Sequence, residues 1–399
     1  MRLAFRRVFL FFCSTKFGNS QLSGAAGVLT FTDYVRRKVI MQLIVVGGGM
    51  QGRVIAQNLL AREEKPEVII VDIKEPASLD GAKFKQVNVL DQSQVDAAVK
   101  NADAVVLAVP SEISHKALSN LIKTGKPVVD VSFTPDPPLD LDEEAKKSGS
   151  CCIVDCVAPG LSHILAGRAA AELGGLDSLR ILVGGMPQDP PPVFRHAIYF
   201  NPNDLLAEYV RPARARKHGI NIAPSPLDVD FEKYTDPEVG ELDAFISDGL
   251  RSLLTSFPDV PEMSEWTLRW DGHLDTMKAL HELGLLNDIN TSSAIAKTLV
   301  EKYPEAKNPD FLLMVIEAKK KGERRLWRLI DRRTNGMSAM SRTTGYTTAA
   351  VAMVLARKQF TEPGVHAPER LGASQELTTA IVNDLKVRGV GISEINLVT

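Results

Sequence analysis

Cysteine is scarce in these 399 residues: four in all, Cys13, Cys151, Cys152 and Cys156. That number excludes a disulfide framework in a chain this long and points to a reducing compartment, the cytoplasm. Cys151, Cys152 and Cys156 crowd together with no second knuckle of ligands elsewhere. They read as small apolar packing beside a sheet, and no metal site is expected. A charge excess is also missing, because 47 Lys and Arg stand against 49 Asp and Glu for a formal net charge of −2. The chain therefore has no field to attract nucleic acid or an anionic membrane. Nor is there an apolar run near the ~20 residues that cross a bilayer. Internal repeats and low-complexity blocks are absent. What remains, 44% hydrophobic and 24% charged residues, is the composition of a globular protein with room for two or three domains.

Residues 1–40 differ from the rest. Arg2, Arg6 and Arg7 flank the short run Val8–Cys13, and no acidic residue precedes Asp33. A basic, acid-free leader of this kind matches an organelle transit peptide. The alternative, preferred here, takes Met41 as the true start and 1–40 as an upstream extension. Either way, the segment is set aside from fold reasoning.

From Met41 the chain carries a strand, a glycine turn and a helix in succession. Leu43–Val46 is apolar and of strand length, Gly47-x-Gly49-x-x-Gly52 follows, and Arg53–Leu60 has helical spacing. This is the dinucleotide-binding fingerprint. Gly47 makes the tight turn, Gly49 lets the backbone approach a pyrophosphate, and Gly52 lets helix and strand pack closely. Met50 and Gln51 lie at the helix N-terminus, where free N–H groups and the dipole attract phosphate. A second strand, Val68–Val71, ends in Asp72, some 20 residues after Gly52, where an acid grips the adenosine ribose. Asp72 favours NAD, since a carboxylate repels a 2′-phosphate; Lys74 tempers this, so NADP remains the less favoured alternative.

The alternation continues. Val87–Asp91 is expected as a third strand, Gln92–Lys100 as a helix, Ala104–Pro110 as a fourth strand, His115–Thr124 as a helix, Pro127–Ser132 as a fifth strand, Leu141–Ser148 as a helix and Cys152–Asp155 as a sixth strand. Such a series predicts a doubly wound α/β (Rossmann) domain over 41–157. Asp91 and Pro110, at strand ends, join the cofactor set, and Ser111, Glu112 and Ser132 lie near it as substrate contacts. Past Val157 the pattern changes. A helix over Leu161–Leu173, strands at Leu179–Val183 and Ala197–Phe200, a helix Asp204–Tyr209 capped by Asn203, and a hairpin Phe311–Ile330 turning at Lys321-Gly322 predict a second, mixed α/β catalytic and dimerisation domain over 158–336. The basic turn Lys319–Arg325 reads as a solvated hairpin. A small-residue helix from Thr343 to Ala356 suits a return to the first domain, completed by 337–399.

Together these segments resemble the saccharopine dehydrogenase family, and within it the lysine 6-dehydrogenase branch. The carriers are Val157-Ala158-Pro159-Gly160-Leu161-Ser162-His163, Val183–Pro187, Leu206-Ala207-Glu208-Tyr209-Val210-Arg211-Pro212-Ala213, Asp271-Gly272-His273 and Ser341–Thr347. The resemblance implies a nicotinamide-dependent oxidation at a carbon bearing an amine, and a homodimer. In the lysine branch, L-lysine and NAD give allysine, which cyclises to piperideine-6-carboxylate, plus ammonia. The saccharopine branch works on a secondary amine through the same imine chemistry.

An amine must lose a proton before hydride leaves its carbon, so a base is needed. Asp130, at the end of the fifth strand, is the candidate; the competing reading is a buried acid capping backbone. Arg211 suits the substrate carboxylate, against an ion pair with Glu208 on the same helical face. His163 and His273 are candidates for proton transfer or substrate contact, against a structural role. A nucleotide-binding protein without catalysis is the reading from another class.

Overall fold

The structure, a computed structural model, describes residues 40–134, 136–156 and 160–395. The leader, Cys13 and the Val157–Pro159 part of the motif before His163 lie outside them. The first sheet is built from β1 (Gln42–Val46), β2 (Glu67–Asp72), β3 (Lys83–Gln86), β4 (Ala104–Leu107), β5 (Val128–Asp130) and β6 (Cys151–Ile153). Helices α1 (Met50–Leu60), α2 (Gln92–Val99), α3 (Ser111–Ile122) and α4 (Asp142–Ser148) alternate with them. With β15 (Gly364–His366) the spatial order is β15-β6-β5-β4-β1-β2-β3, and every pairing is parallel. Both faces are covered, which is why β1 and β2 are apolar almost throughout. Side chains alternate strictly. Leu43, Val45, Val68, Ile70 and Val106 enter one core with α1, and Ile44, Val46, Ile69, Val71 and Val105 enter the other with α2 and α3. The chain winds outward in opposite directions from β1 and β4, which leaves a crevice at their carboxyl ends.

The second sheet follows α5 (Leu161–Leu173). Its strands are β7 (Ser178–Pro187), β8 (Ala215–Lys217), β9 (Ile220–Ile222), β10 (Glu232–Asp236), β11 (Gly240–Ile246), β12 (Glu262–Trp270), β13 (Asp310–Lys320), β14 (Glu323–Arg332) and β16 (Gly391–Glu394). The order is β10-β11-β12-β7-β13-β14-β16, with β8 beside β12 and β9 beside β8. Only β7 and β12 run parallel. Between strands lie α6 (Pro202–Ala207), α7 (Leu253–Ser256), α8 (His273–Glu282) and α9 (Ile289–Lys302), and the chain ends with α10 (Ala339–Ala356), α11 (Glu369–Gly372) and α12 (Gln375–Val387). The hairpin β13–β14 turns at Lys321 (φ +48°) and Gly322 (φ +86°), with Lys320 opposite Glu323. Two consecutive left-handed residues match the twist of the strands they join.

Several sequence expectations shift. The third strand is Lys83–Gln86 rather than Val87–Asp91. It is the sheet's outer strand and carries charge instead of an apolar run, as edge strands do, so it gave little signal. Ala197–Phe200 is no strand; Ile198 makes one bridge to Pro304, and Ile198 and Phe200 pack into a helical cluster. Asn201, not Asn203, caps α6, accepting from the Asn203 and Asp204 amides. The closing segment is divided between the sheets. Helix α10 lies in the first core beside α1 and β15 extends the parallel sheet, whereas β16 pairs with β14 of the second.

Candidate functional site

The glycine turn has the geometry a dinucleotide needs. Gly47 sits at φ +102°, and its N–H donates to the Val71 carbonyl at 2.8 Å. A Cβ on Gly52 would lie 1.9 Å from the Gly47 oxygen, so helix and turn meet without a side chain between them. A Cβ on Gly49 would meet nothing within 4 Å. Gly49 is the N-cap of α1 and offers no side-chain cap, which leaves the first-turn N–H groups for an anion. These features fit a pyrophosphate. Gln51 Nε2 donates to the Ser341 carbonyl at 3.0 Å and ties α1 to α10.

Asp72 Oδ2 accepts from the Gly48 amide at 2.7 Å and Oδ1 from the Lys74 amide at 3.2 Å. The acid therefore sits at the turn itself. Met50 at the start of α1 and Ile73 just after β2 expose 51% and 66% of their surface; apolar side chains left open beside the turn suit the face of a base. Asp91, expected at the cofactor, is committed elsewhere. It caps α2, accepting from the Ser93 amide at 3.0 Å and the Gln94 amide at 3.3 Å. Pro110 is the N-cap of α3, whose first residues are Ser111 and Glu112. The Glu112 charge reaches Asp204 of α6, which helps raise that carboxyl above its ordinary value, after burial.

Asp130 closes the crevice floor. It is buried, and burial pushes its carboxyl up to about 7, partly offset by hydrogen bonds from Ser132. Its Oδ1 accepts from the Ser132 amide at 2.8 Å. Asp130 thus caps local backbone and carries a carboxyl that burial pushes up toward neutrality. The Ser132 side chain is buried beside that carboxyl. Beyond it, Phe133 has the Arg211 guanidinium 5.0 Å from its ring centroid and that of Arg251 at 4.5 Å, within cation–π range.

Arg211 does not pair with Glu208. Its Nε lies 3.5 Å from Asp248 Oδ2, while Arg214 holds Asp248 through two bonds of 2.8 and 2.9 Å. Glu208 accepts instead from Arg269 at 2.9 Å, because Arg269 reaches it from the neighbouring strand β12. Arg269 also donates to the Tyr209 hydroxyl at 2.9 Å. That hydroxyl lies 2.7 Å from His273 Nε2, and His273 Nδ1 lies 2.6 Å from the Phe194 carbonyl. A carbonyl only accepts, so Nδ1 carries the proton and Nε2 accepts from Tyr209. Both nitrogens are spent, and burial, helped by the Arg269 charge, drives His273 down to about 3. The geometry corresponds to the structural reading of His273, a neutral prop behind Arg269 and Glu208. His163 is likewise buried, between the Leu250 carbonyl at 3.2 Å and Ser162 Oγ at 3.3 Å.

Three groups at this site escaped sequence reasoning: Asp155, Arg251 and Glu265. Glu265 is buried, accepts from Ser247 Oγ at 2.6 Å, and is pushed up to about 7 by burial. It shares its face of β12 with Thr267 and Arg269, so no apolar pattern marked it in the sequence. Cys151 and Cys152 are buried and pushed up to about 12 by that burial. Among the described residues no group of His, Cys, Asp and Glu converges to hold a metal, and no helix is long and apolar enough to cross a membrane.

A doubly wound domain with a nucleotide turn, facing a second mainly antiparallel sheet, defines the class: a two-domain dinucleotide-binding fold. Two family models match consecutive stretches, the saccharopine dehydrogenase NADP binding domain over residues 43–153 and the saccharopine dehydrogenase C-terminal domain over 156–390. The chain belongs to the saccharopine dehydrogenase family. It is 21% identical over 264 residues to the saccharopine dehydrogenase [NADP(+), L-glutamate-forming] of Saccharomyces cerevisiae, covering 62% of this chain and 58% of that protein. The namesake of Schizosaccharomyces pombe is 25% identical over 155 residues, 36% of this chain and 34% of the relative. The chain therefore matches less than two thirds of either relative's length. Among solved structures, apo saccharopine dehydrogenase (L-Glu forming) from S. cerevisiae has a TM-score of 0.72 at 17% identity, covering 89% of this chain and all of that one. The fold is shared.

Proposed function

We propose that this protein is an NAD-dependent L-lysine 6-dehydrogenase, converting the side-chain amine of lysine to allysine with release of ammonia. The observation that carries the reading is Asp130, a buried carboxyl titrating at about 7 at the crevice floor. Above that pH it is a carboxylate, poised to take a proton from the substrate ammonium. A nicotinamide nucleotide bound at the glycine turn supplies the hydride acceptor. The C6–H bond then breaks, the nitrogen lone pair forms the imine, and water replaces nitrogen to leave the aldehyde. Arg211, its Nε free of hydrogen bonds among the described residues, supports binding of the α-carboxylate.

NAD is preferred on the Asp72 carboxylate, which disfavours a 2′-phosphate. Both yeast relatives are NADP-dependent saccharopine dehydrogenases by name, and that is the second reading. A panel of L-lysine, saccharopine and other amino acids with each cofactor, followed at the nicotinamide absorbance band at alkaline pH, tests both. Growth with L-lysine and NAD alone is the expected result. Turnover of saccharopine without turnover of lysine would overturn the first reading in favour of the second. Tight nucleotide binding with no turnover of any substrate would sink both and leave a binding protein.

A further inference from the structure

Asp155 and Arg251 are both held in the left-handed region, at φ +61° and +46°. Asp is among the side chains that adopt that conformation, whereas long ones such as Arg seldom do. Strained residues persist only where their surroundings hold them, and these two hold each other. Arg251 Nε donates to Asp155 Oδ1, with the two side chains 1% and 0% exposed. Arg251 Nη1 donates to the Thr134 carbonyl at 2.9 Å. The amide of Cys156, the residue after Asp155, donates to the Asp130 carbonyl at 3.1 Å. The pair thus joins the segment after β5, the segment after β6 and the β11–α7 loop of the second sheet around Asp130.

The pair is also incomplete. Asp155 Oδ2 and Arg251 Nη2 are buried with no partner among the described residues. A buried ion pair elsewhere in the same chain closes both arms: Arg342 holds Asp331 through bonds of 2.8 and 3.1 Å. Leaving two charged arms unpaired beside Asp130 is unfavourable for stability alone, and a site, where polar atoms await substrate or water, is where such an arrangement belongs.

We propose that Asp155 and Arg251 are a positioning pair for Asp130, a strained ionic clamp that fixes this carboxyl at the crevice floor and sets opposite charges beside it. The proposal rests on the reading of Asp130 as proton acceptor. Charged and titratable groups facing Asp130 come from few elements. Among the described residues they include Asp155, Cys152 and Cys156 from β6 and the segment after it, and Arg251 from the loop after β11, with Glu369 facing Cys156. Neighbouring β4 brings apolar Leu107, and α10 brings Thr348, whose hydroxyl donates to the Cys156 carbonyl at 3.4 Å. Burial and the Ser132 hydrogen bonds act most strongly on Asp130, and the pair adds opposed charges, the Asp155 carboxylate raising it and the Arg251 guanidinium lowering it.

The test uses the full chain with 13C-labelled aspartate carboxyls, the Asp130 resonance being assigned by its loss in Asp130→Asn. Asp155→Asn removes a charge while keeping a residue type that tolerates the left-handed backbone; Arg251→Gln removes the other charge and Arg251→Lys restores it. The Asp130 titration should move down in Asp155→Asn and up in Arg251→Gln, each by about one pH unit, and return toward the native value in Arg251→Lys. The acidic limb of kcat/KM should follow. A purely structural role lowers the amplitude of activity without moving either midpoint, and an unmoved Asp130 titration in Asp155→Asn overturns the proposal. Titrations that shift while the limb of kcat/KM stays put would leave the clamp standing and remove Asp130 as proton acceptor. Should Arg251→Gln fail to fold, Asp155→Asn and Arg251→Lys still decide.

Discussion

The Gly48 amide donates to Asp72 Oδ2 at 2.7 Å, so the acid that ends β2 is fixed to the turn that begins α1. A carboxylate in that place hydrogen-bonds ribose hydroxyls and repels a phosphate on the same sugar. Asp72→Ser should weaken NAD binding about tenfold or more, the loss of a charge-assisted bond of about 1.5–3 kcal/mol, and narrow the gap to NADP. Titration calorimetry with both nucleotides measures this. Unchanged NAD affinity would contradict the ribose role.

Gly49 and Gly52 look alike in sequence and differ in space. A methyl group on Gly52 would lie 1.9 Å from the Gly47 carbonyl oxygen, backbone that cannot yield, whereas on Gly49 it would project into open space. Gly52→Ala should therefore lower the melting temperature by many degrees, in keeping with the several kcal/mol of forced backbone clashes. Gly49→Ala should melt close to the native protein and lose nucleotide affinity, since the methyl stands where the pyrophosphate approaches. Equal effects of the two substitutions on melting would refute the distinction.

Two buried groups pull stability in opposite directions with pH. Asp130 has a folded pKa of about 7 against an ordinary 3.8; the folded state holds the extra proton. Its contribution is full below the ordinary value and is lost as pH rises through 7. His273 has a folded pKa of about 3 against 6.5; the unfolded state binds the extra proton. Its contribution is full above 6.5 and is lost as pH falls toward 3. Asp130→Asn should consequently raise the unfolding free energy at pH 8.5 relative to the native chain by on the order of 1–3 kcal/mol, seen as a higher urea midpoint, while abolishing turnover. A lower midpoint at that pH would mean that the carboxyl is not held against its ordinary titration.

Much of this was legible beforehand, for a physical reason. Strands β1, β2, β4 and β5 are buried on both faces, so their apolar runs had to appear in the sequence, and the turn after β1 is short-range geometry that three glycines encode. The β13–β14 hairpin announced itself through Lys321-Gly322 in the same way. The edge strand β3 and the short strands β8, β9 and β15 gave no such run, because their places are decided by partners far along the chain. Arg211 illustrates the same limit within the site. Helical spacing offered Glu208 as its partner, yet Arg269 from β12 takes Glu208 and leaves Arg211 to Asp248 and Phe133. Asp155 and Arg251, distant in sequence and joined in space, left no local pattern to read.

Arg211 itself is the remaining test of substrate orientation. Its guanidinium lies against Phe133 and only 3.5 Å from Asp248, with Asp248 already held by Arg214, so its loss leaves no buried charge unpaired. Stability should change little in Arg211→Ala. If the group binds the substrate carboxylate equally in ground and transition states, KM should rise with kcat nearly unchanged. Loss of one charge-assisted contact predicts a rise on the order of tenfold to a hundredfold. Arg211→Lys should recover part of it, because an ammonium keeps the charge but not the two-pronged geometry. Steady-state kinetics over the substrate range separates the two constants. A fall in kcat with KM unchanged would place Arg211 at the reacting carbon instead, and a large fall in melting temperature would mark it as part of the fold.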